Sequence, residues 1–337
     1  MSRRVLVARL DSAGDVLVSG PAVRAIARDS EVVMLVGPRG RAAAELLPGV
    51  AELIVWDAPW IANPAPPATP VHMSDLVERV RAAGVDEAVI LTSFHQSPLP
   101  LALALRLAGV ARITGVSTDY AGSLLDVRMR PGEDLPEDIP EPLRALAIAE
   151  AAGWPSEDSR LAVSGLRVPP GLPPRGGYVV LHPGASVPAR QAPVELFAAA
   201  SRILASRCWE IVVTGSADER GLAERIPASL DLSGSLDLAS LAGAIEGAAA
   251  IVVGNTGPAH LAAAVGTPVV SLFSPVVPVA RWAPHGVPVR ILGDQDAVCR
   301  GTRARECPVP GHPCLSTIAP EELADAVEAL AREEVPA

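Results

Sequence analysis

Lysine is absent from the 337 residues, and all 28 basic side chains are arginine. Any cation that grips a phosphate must therefore be a guanidinium, which is planar, permanently charged and suited to two-point contacts. Cysteine is scarce as well. Four in a chain of this length make no disulfide framework. No stretch approaches the roughly 18–20 apolar residues of a membrane span. The opening MSRRVLVARLDSAGD has a short apolar run, then charges, and no small-residue cleavage site, so it does not read as a signal peptide. These absences imply a cytoplasmic protein with at most peripheral membrane contact. A net charge of −10 argues against nucleic acid as a partner. The 49% hydrophobic and 20% charged residues suffice for ordinary cores and exclude a disordered chain.

The run RVLVARL, residues 4–10, reads as a strand, and it passes into Asp11-Ser12-Ala13-Gly14-Asp15 before a helix. A dinucleotide-binding turn would place glycines there, so that backbone could approach a pyrophosphate. Two carboxylates stand in their place. Further strands are expected at 31–37, 52–56, 87–93 and 111–117, with helical stretches such as 73–83 and 98–108 between them. Continuous Val/Ile/Leu runs indicate strands covered on both faces, and strand–helix alternation implies a parallel sheet. The Pro-rich segment 58–70 reads as a long loop, and an acidic Pro-rich region at 131–142 precedes a helix near 143–152.

VPPGLPPRGG, residues 168–177, reads as a linker, because Pro and Gly continue neither regular element. The alternation then restarts with strands at 178–184, 210–216, 249–255 and 268–274, and helices near 194–206, 217–226, 238–247, 257–265 and 320–333. The organisation expected is an N-terminal α/β domain over 1–167, the linker, and a second α/β domain over 178–318. A C-terminal helix over 319–337 follows and is open to packing back on the N-terminal domain. A cleft between two such domains is a common ligand site.

Three strand ends of the second half carry the candidate chemistry. After YVVLHPG come Ser186 and Arg190, ahead of a helix starting near Pro193. Arg190 is a phosphate clamp or an exposed surface arginine. After EIVVTGS come Asp218 and Glu219, where Glu219 either holds a ribose hydroxyl or caps the helix. After AAIVVGN, Asn255, Thr256 and Gly257 open a helix with Pro258 in its first turn, and its backbone N–H groups would face a phosphate. His260 donates to an oxygen there or packs as a core histidine. In the first half, Asp15 is either a proton acceptor for an attacking hydroxyl or an N-cap together with Asp11.

The segments RLDSAGDVLVSGPAV, LHPGASVPARQAP, VVTGSADE and GNTGPAHLAAAVGTPVVSLFSP together resemble glycosyltransferase family 9, the ADP-heptose:lipopolysaccharide heptosyltransferases. The resemblance implies a GT-B fold, with two Rossmann-like domains whose parallel sheets face across a cleft. The acceptor would bind the first domain and the nucleotide sugar the second. It also implies an inverting, metal-independent transfer that needs no cofactor beyond the nucleotide-sugar donor, ADP-linked. Asp15 matches the family's base. Arg190 stands where the family has a basic residue on the donor pyrophosphate, with Ser186 in the adjoining hydroxyl-bearing loop. Glu219 matches the ribose-binding carboxylate, and Thr256, Gly257 and His260 match the phosphate loop and helix start. Asn255 stands where members often carry Asp; it can bond a sugar hydroxyl but carries no charge. The acceptor expected is a hydroxyl of a lipopolysaccharide core, another glycolipid or a metabolite, and the enzyme is expected to be a monomer.

Two further readings compete: a non-catalytic nucleotide-sugar-binding protein of the same fold, and a sugar-nucleotide epimerase, which would need additional acid–base groups. Cys299, Cys307, Cys314 and His312 could bind zinc, but their spacing fits no finger or ribbon and favours free thiols. Cys208 is expected within a helix.

Overall fold

The structure is a computed structural model that describes residues 3–93 and 96–332. The chain divides into two units, Met1–Ser164 and Gly165–Ala337. The division falls just ahead of the Pro/Gly stretch 168–177.

Unit 1 holds six strands: β1 (Arg3–Arg9), β2 (Ser30–Val36), β3 (Val50–Val55), β4 (Glu87–Ile90), β5 (Arg112–Val116) and β6 (Val127–Met129). Its helices are α1 (Ala13–Val18), α2 (Gly20–Ala27), α3 (Arg41–Ala44), α4 (Pro70–Ala83), α5 (Leu99–Ala108) and α6 (Glu141–Ala152). The sheet order is β3-β2-β1-β4-β5-β6, every pairing parallel. Val5, Leu6, Val7 and Ala8 of β1 are all buried. Successive side chains of a strand point to opposite faces, so helices must cover both sides, as continuous apolar runs imply. The loop before α4 ends where the Thr69 hydroxyl accepts the His72 N–H at 3.2 Å and Pro70 opens the helix.

Unit 2 repeats the plan with β7 (Tyr178–His182), β8 (Glu210–Val213), β9 (Leu230–Asp231), β10 (Ala250–Gly254), β11 (Val269–Leu272) and β12 (Val289–Leu292). Its helices are α7 (Val194–Ser206), α8 (Arg220–Ala223), α9 (Leu238–Glu246), α10 (Gly257–Ala264), α11 (Val279–Trp282), α12 (Pro313–Ser316) and α13 (Pro320–Arg332). The order β12-β11-β10-β7-β8-β9 is again all parallel. Counted from the first strand of each unit, both sheets read 3-2-1-4-5-6, the order of doubly wound nucleotide-binding sheets. In such a sheet the chain winds outward in both directions from its first strand. Loops therefore diverge at the carboxyl ends of β1 and β4 in unit 1, and of β7 and β10 in unit 2.

Several expectations change. The helix expected over 217–226 is a 3-10 turn, Ala217–Glu219, followed by the four-residue α8. Strands β6, β9 and β12 escaped the sequence reading because they are two to four residues long and only partly buried. Cys208 does not lie in a helix. It follows α7 with φ 68° and is exposed, so it turns the chain instead of packing. The buried residues Leu323, Ala324, Val327 and Leu330 of α13 fill unit 2's own core beside Phe197 and Leu204 of α7. Leu323→Ala is expected to cost about 2–5 kcal/mol, the range for truncating a fully buried leucine; denaturant midpoints of the two proteins measure it.

Candidate active site

Arg9 ends β1, and its residue is only 2% exposed. A guanidinium in so apolar a setting requires counter-charge. It receives three carboxylates. Nε lies 2.9 Å from Asp11 Oδ2, Nη2 lies 2.9 Å from Asp15 Oδ1, and Nη1 lies 3.8 Å from Glu141 Oε2. Arg9 Nη2 also donates to Ser93 Oγ at 2.8 Å. The Gln96 amide donates to Asp11, and its oxygen accepts the Ser93 N–H at 3.0 Å. Ser93 and Gln96 follow β4, the strand beside β1, so the cluster sits where the loops of unit 1 diverge. Two carboxylates replace the glycines of the first turn because a buried arginine points at them.

Ser12, not Asp11, is the N-cap of α1. Asp15, at the third helical position, accepts the Ser12 N–H at 3.2 Å and the Ser12 hydroxyl at 2.6 Å. Asp15 thus closes the cap while facing Arg9. Burial alone pushes its carboxyl pKa up, but the Arg9 charge and the bonds from Ser12 and Arg9 outweigh that and hold it below the usual carboxylate range. Around Arg9, burial opposes the charge, and Asp11, Asp15 and Glu141 prevail and raise the guanidinium pKa. The Asp15 side chain keeps 17% of its surface exposed, against 3% for that of Arg9, so it is the reachable member of the pair.

The other candidates all lie in unit 2, around the carboxyl end of β7. Arg190 closes a 3-10 turn, Pro188–Arg190, and is half-buried, whereas Ser186 of the same loop is exposed. A Cβ on Gly254, the last residue of β10, would lie 2.8 Å from the Arg190 carbonyl oxygen. Only a glycine lets the β7 and β10 loops meet there. On the other side, a Cβ on Gly184 would lie 2.0 Å from the Glu219 carboxylate. The β7 loop is therefore the hub: it touches Glu219 after β8 and the Asn255 loop after β10. Glu219 Oε2 accepts the Ser216 N–H at 2.7 Å, so the helix-capping reading of this residue is realised, and its side chain remains 20% exposed.

Thr256 caps α10, with Gly257 and Pro258 at its start, and His260 is buried in its first turn. The His260 ring centroid lies 6.3 Å from that of Trp282 at 55°. Asn255 is buried, and its amide faces Ser274 twice: its nitrogen donates to the carbonyl oxygen and its oxygen accepts the N–H, each at 3.3 Å. An aspartate there would set an anionic oxygen against the Ser274 carbonyl. The amide is thus a brace between the loops after β10 and β11.

Burial, together with Cys299, pushes the Cys314 thiol up to about 11. The chain does carry one Asp-x-Asp, Asp294-Gln295-Asp296, which the sequence reading passed over. Asp294 accepts the Asp296 N–H at 2.9 Å, and Asp296 pairs with Arg300 at 2.9 Å, which is a loop turn. Among the described residues no group of three or more His, Cys, Asp or Glu is placed to hold a metal.

The residues that the sequence reading missed are Arg9, Ser93, Gln96 and Glu141 around Asp15, and His182, Gly184 and Thr214 around Glu219. A usable signal existed for two of them. Arg9 and His182 are polar residues inside otherwise apolar strand runs, where burial demands a partner.

Residues 149–312 match the family model of glycosyltransferase family 9 (heptosyltransferase). All seven unit 2 candidates fall inside that segment. Among solved structures, ADP-heptose LPS heptosyltransferase II of E. coli is 22% identical with a TM-score of 0.72, covering 97% of this chain and 98% of that one. A family 9 glycosyl transferase from Veillonella parvula is 17% identical with a TM-score of 0.75, covering 98% and 97%. The E. coli heptosyltransferase WaaC, solved with ADP-2-deoxy-2-fluoro heptose, is 17% identical with a TM-score of 0.67, covering 97% and 99%. No curated protein matches the sequence. The resemblance read from the motifs holds. The two six-stranded parallel α/β units match the GT-B heptosyltransferase fold, and the family match supports a glycosyltransferase.

Two measurements probe this geometry. An alanine at position 184 must displace the Glu219 carboxylate, so Gly184→Ala is expected to weaken binding of a nucleoside diphosphate about tenfold, read by calorimetry. Because the folded-state pKa of Asp15 is depressed, its stabilising contribution is complete above about pH 4 and is lost as pH falls through the depressed value. Asp15→Asn is therefore expected to be less stable than the native chain at pH 7, with the gap narrowing on acidification below about pH 4. Urea midpoints across that range report it.

Proposed function

We propose that this chain is an inverting, metal-independent glycosyltransferase. It moves a sugar, heptose being the leading candidate, from an ADP-linked donor to a hydroxyl of a lipopolysaccharide core, another glycolipid or a metabolite. The observation that carries the proposal is Asp15: an accessible carboxylate, held ionised by a buried arginine, at the point where the loops of unit 1 diverge. A group of that kind accepts a proton from an attacking hydroxyl at any pH near neutrality. Its low basicity suits a late proton transfer, after bond formation has acidified the hydroxyl.

The acceptor oxygen attacks the anomeric carbon as the bond from that carbon to the diphosphate oxygen breaks, and Asp15 takes the proton. Negative charge grows on the leaving diphosphate. In this reading Arg190 and the backbone N–H groups that follow Asn255 stabilise it, with Ser186 and Thr256 adding hydroxyls and Gly257 opening the helix. Glu219 takes the ribose, Asn255 keeps its loop in place, and His260 supports the helix start. The donor assignment rests on the family match and on the ADP-heptose that the similar structures name. We also place the enzyme in the cytoplasm as a monomer. In keeping with that, no helix among the described residues is long and apolar enough to cross a membrane.

A thermal-shift panel in EDTA tests the donor: ADP is expected to stabilise the chain more than UDP, GDP or dTDP. Asp15→Asn is expected to retain the ADP shift and to lose turnover by about 10²–10⁴-fold. Unchanged turnover in that variant removes Asp15 as the base. Donor binding with no turnover by the native chain favours the non-catalytic binding protein, and a requirement for added divalent metal removes the metal-independent mechanism.

A further inference from the structure

His182 ends β7, and Thr214 follows the neighbouring strand β8; both are buried. Neither has a part in the reaction as described above. His182 Nδ1 lies 3.0 Å from Thr214 Oγ1, within hydrogen-bond reach, and Nε2 lies 3.9 Å from Glu219 Oε2. Burial pushes the imidazole below its ordinary pKa, and Glu219 offsets this only in part, so the ring is neutral near pH 7. A neutral imidazole carries one N–H. With the Thr214 hydroxyl donating to Nδ1, that N–H sits on Nε2 and faces the carboxylate. The other tautomer would turn a lone pair toward Glu219, which the charge disfavours.

Glu219 Oε2 accepts the Ser216 N–H at 2.7 Å, and the imidazole edge lies 3.9 Å from the same oxygen, an electrostatic approach and not a hydrogen bond. The carboxylate lies over Gly184, where no side chain competes for the space. Oε1 makes no hydrogen bond among the described residues, and the side chain is 20% exposed. One oxygen is anchored and the other is available.

We propose that His182, its tautomer fixed by Thr214, is a positioning residue for Glu219, setting Oε1 to accept hydroxyl protons from the ribose of the donor nucleotide. The inference deepens the proposed function and rests on its reading of Glu219 as the ribose ligand. Discrimination follows from it. An acceptor set for a hydroxyl disfavours an analogue that lacks the hydroxyl, because the bond to it is lost. His182 and Thr214 therefore set the preference for a ribonucleotide over a deoxyribonucleotide without touching either.

The test is calorimetric affinity for ADP and for 2′-deoxy-ADP, with the ratio of the two as the readout. The native chain is expected to favour ADP by roughly tenfold or more, and Glu219→Ala to abolish the preference. His182→Ala and the nearly isosteric Thr214→Val are expected to cut the ratio several-fold while phosphate-based binding persists. His182→Gln, whose amide can donate toward Oε2, is expected to recover part of it. A purely structural role would weaken both ligands alike and leave the ratio intact. If Glu219→Ala abolishes the preference but His182→Ala and Thr214→Val keep it, the inference is overturned and the ribose reading stands. If Glu219→Ala itself leaves the ratio unchanged, the ribose reading falls and the inference with it. Should His182→Ala fail to fold, Thr214→Val decides.

Discussion

One buried guanidinium organises the first unit. Arg9 draws Asp11 and Asp15 from the turn after β1, Ser93 from the end of β4 and Glu141 from the start of α6. Nearby, Arg144 of α6 donates to the Thr92 carbonyl oxygen at 2.9 Å, tying the same helix turn to β4. Charges withdrawn from water are costly, and a cluster of them stabilises little in net terms. What it does is fix geometry, since each partner that moves leaves another charge unpaired. The result is a carboxylate whose ionisation and direction are set by the fold itself.

The second unit has the same strand order but relies on close backbone approach instead of buried charge. Gly184 admits the Glu219 carboxylate, and Gly254 admits the Arg190 carbonyl. Missing side chains bring three loops to one strand end. An anionic ligand suits that arrangement, because the cation and the backbone donors that would meet it can approach without obstruction. The identical winding of the two sheets thus carries two different loop clusters, according to what the turns after their first strands hold.

The architecture was legible because β1, β2, β7, β8 and β10 are continuous apolar runs, and only a parallel sheet covered on both faces accommodates them. Short edge strands such as Leu230–Asp231 have too few residues to show a pattern. Asp15, Arg190 and Glu219 could be named from their places after strands, yet their surroundings could not. Arg9 and Asp15 are close in sequence, but Ser93 and Glu141 reach them only through the sheet order. The contact between His182 and Glu219 likewise spans two strands, and no local spacing encodes it. Asn255 shows a different limit. Its residue type was readable, but that its amide is engaged by Ser274 depends on a strand that comes later in the chain.

That engagement has a consequence over time. Asparagine is among the thermolabile residues, since its amide can hydrolyse to a carboxylate. Were that to happen at position 255, the donor half of its two-point bond would become a negative charge set against a peptide oxygen. That one side-chain tie between the loops after β10 and β11 would then be weakened, while the strands themselves stay paired.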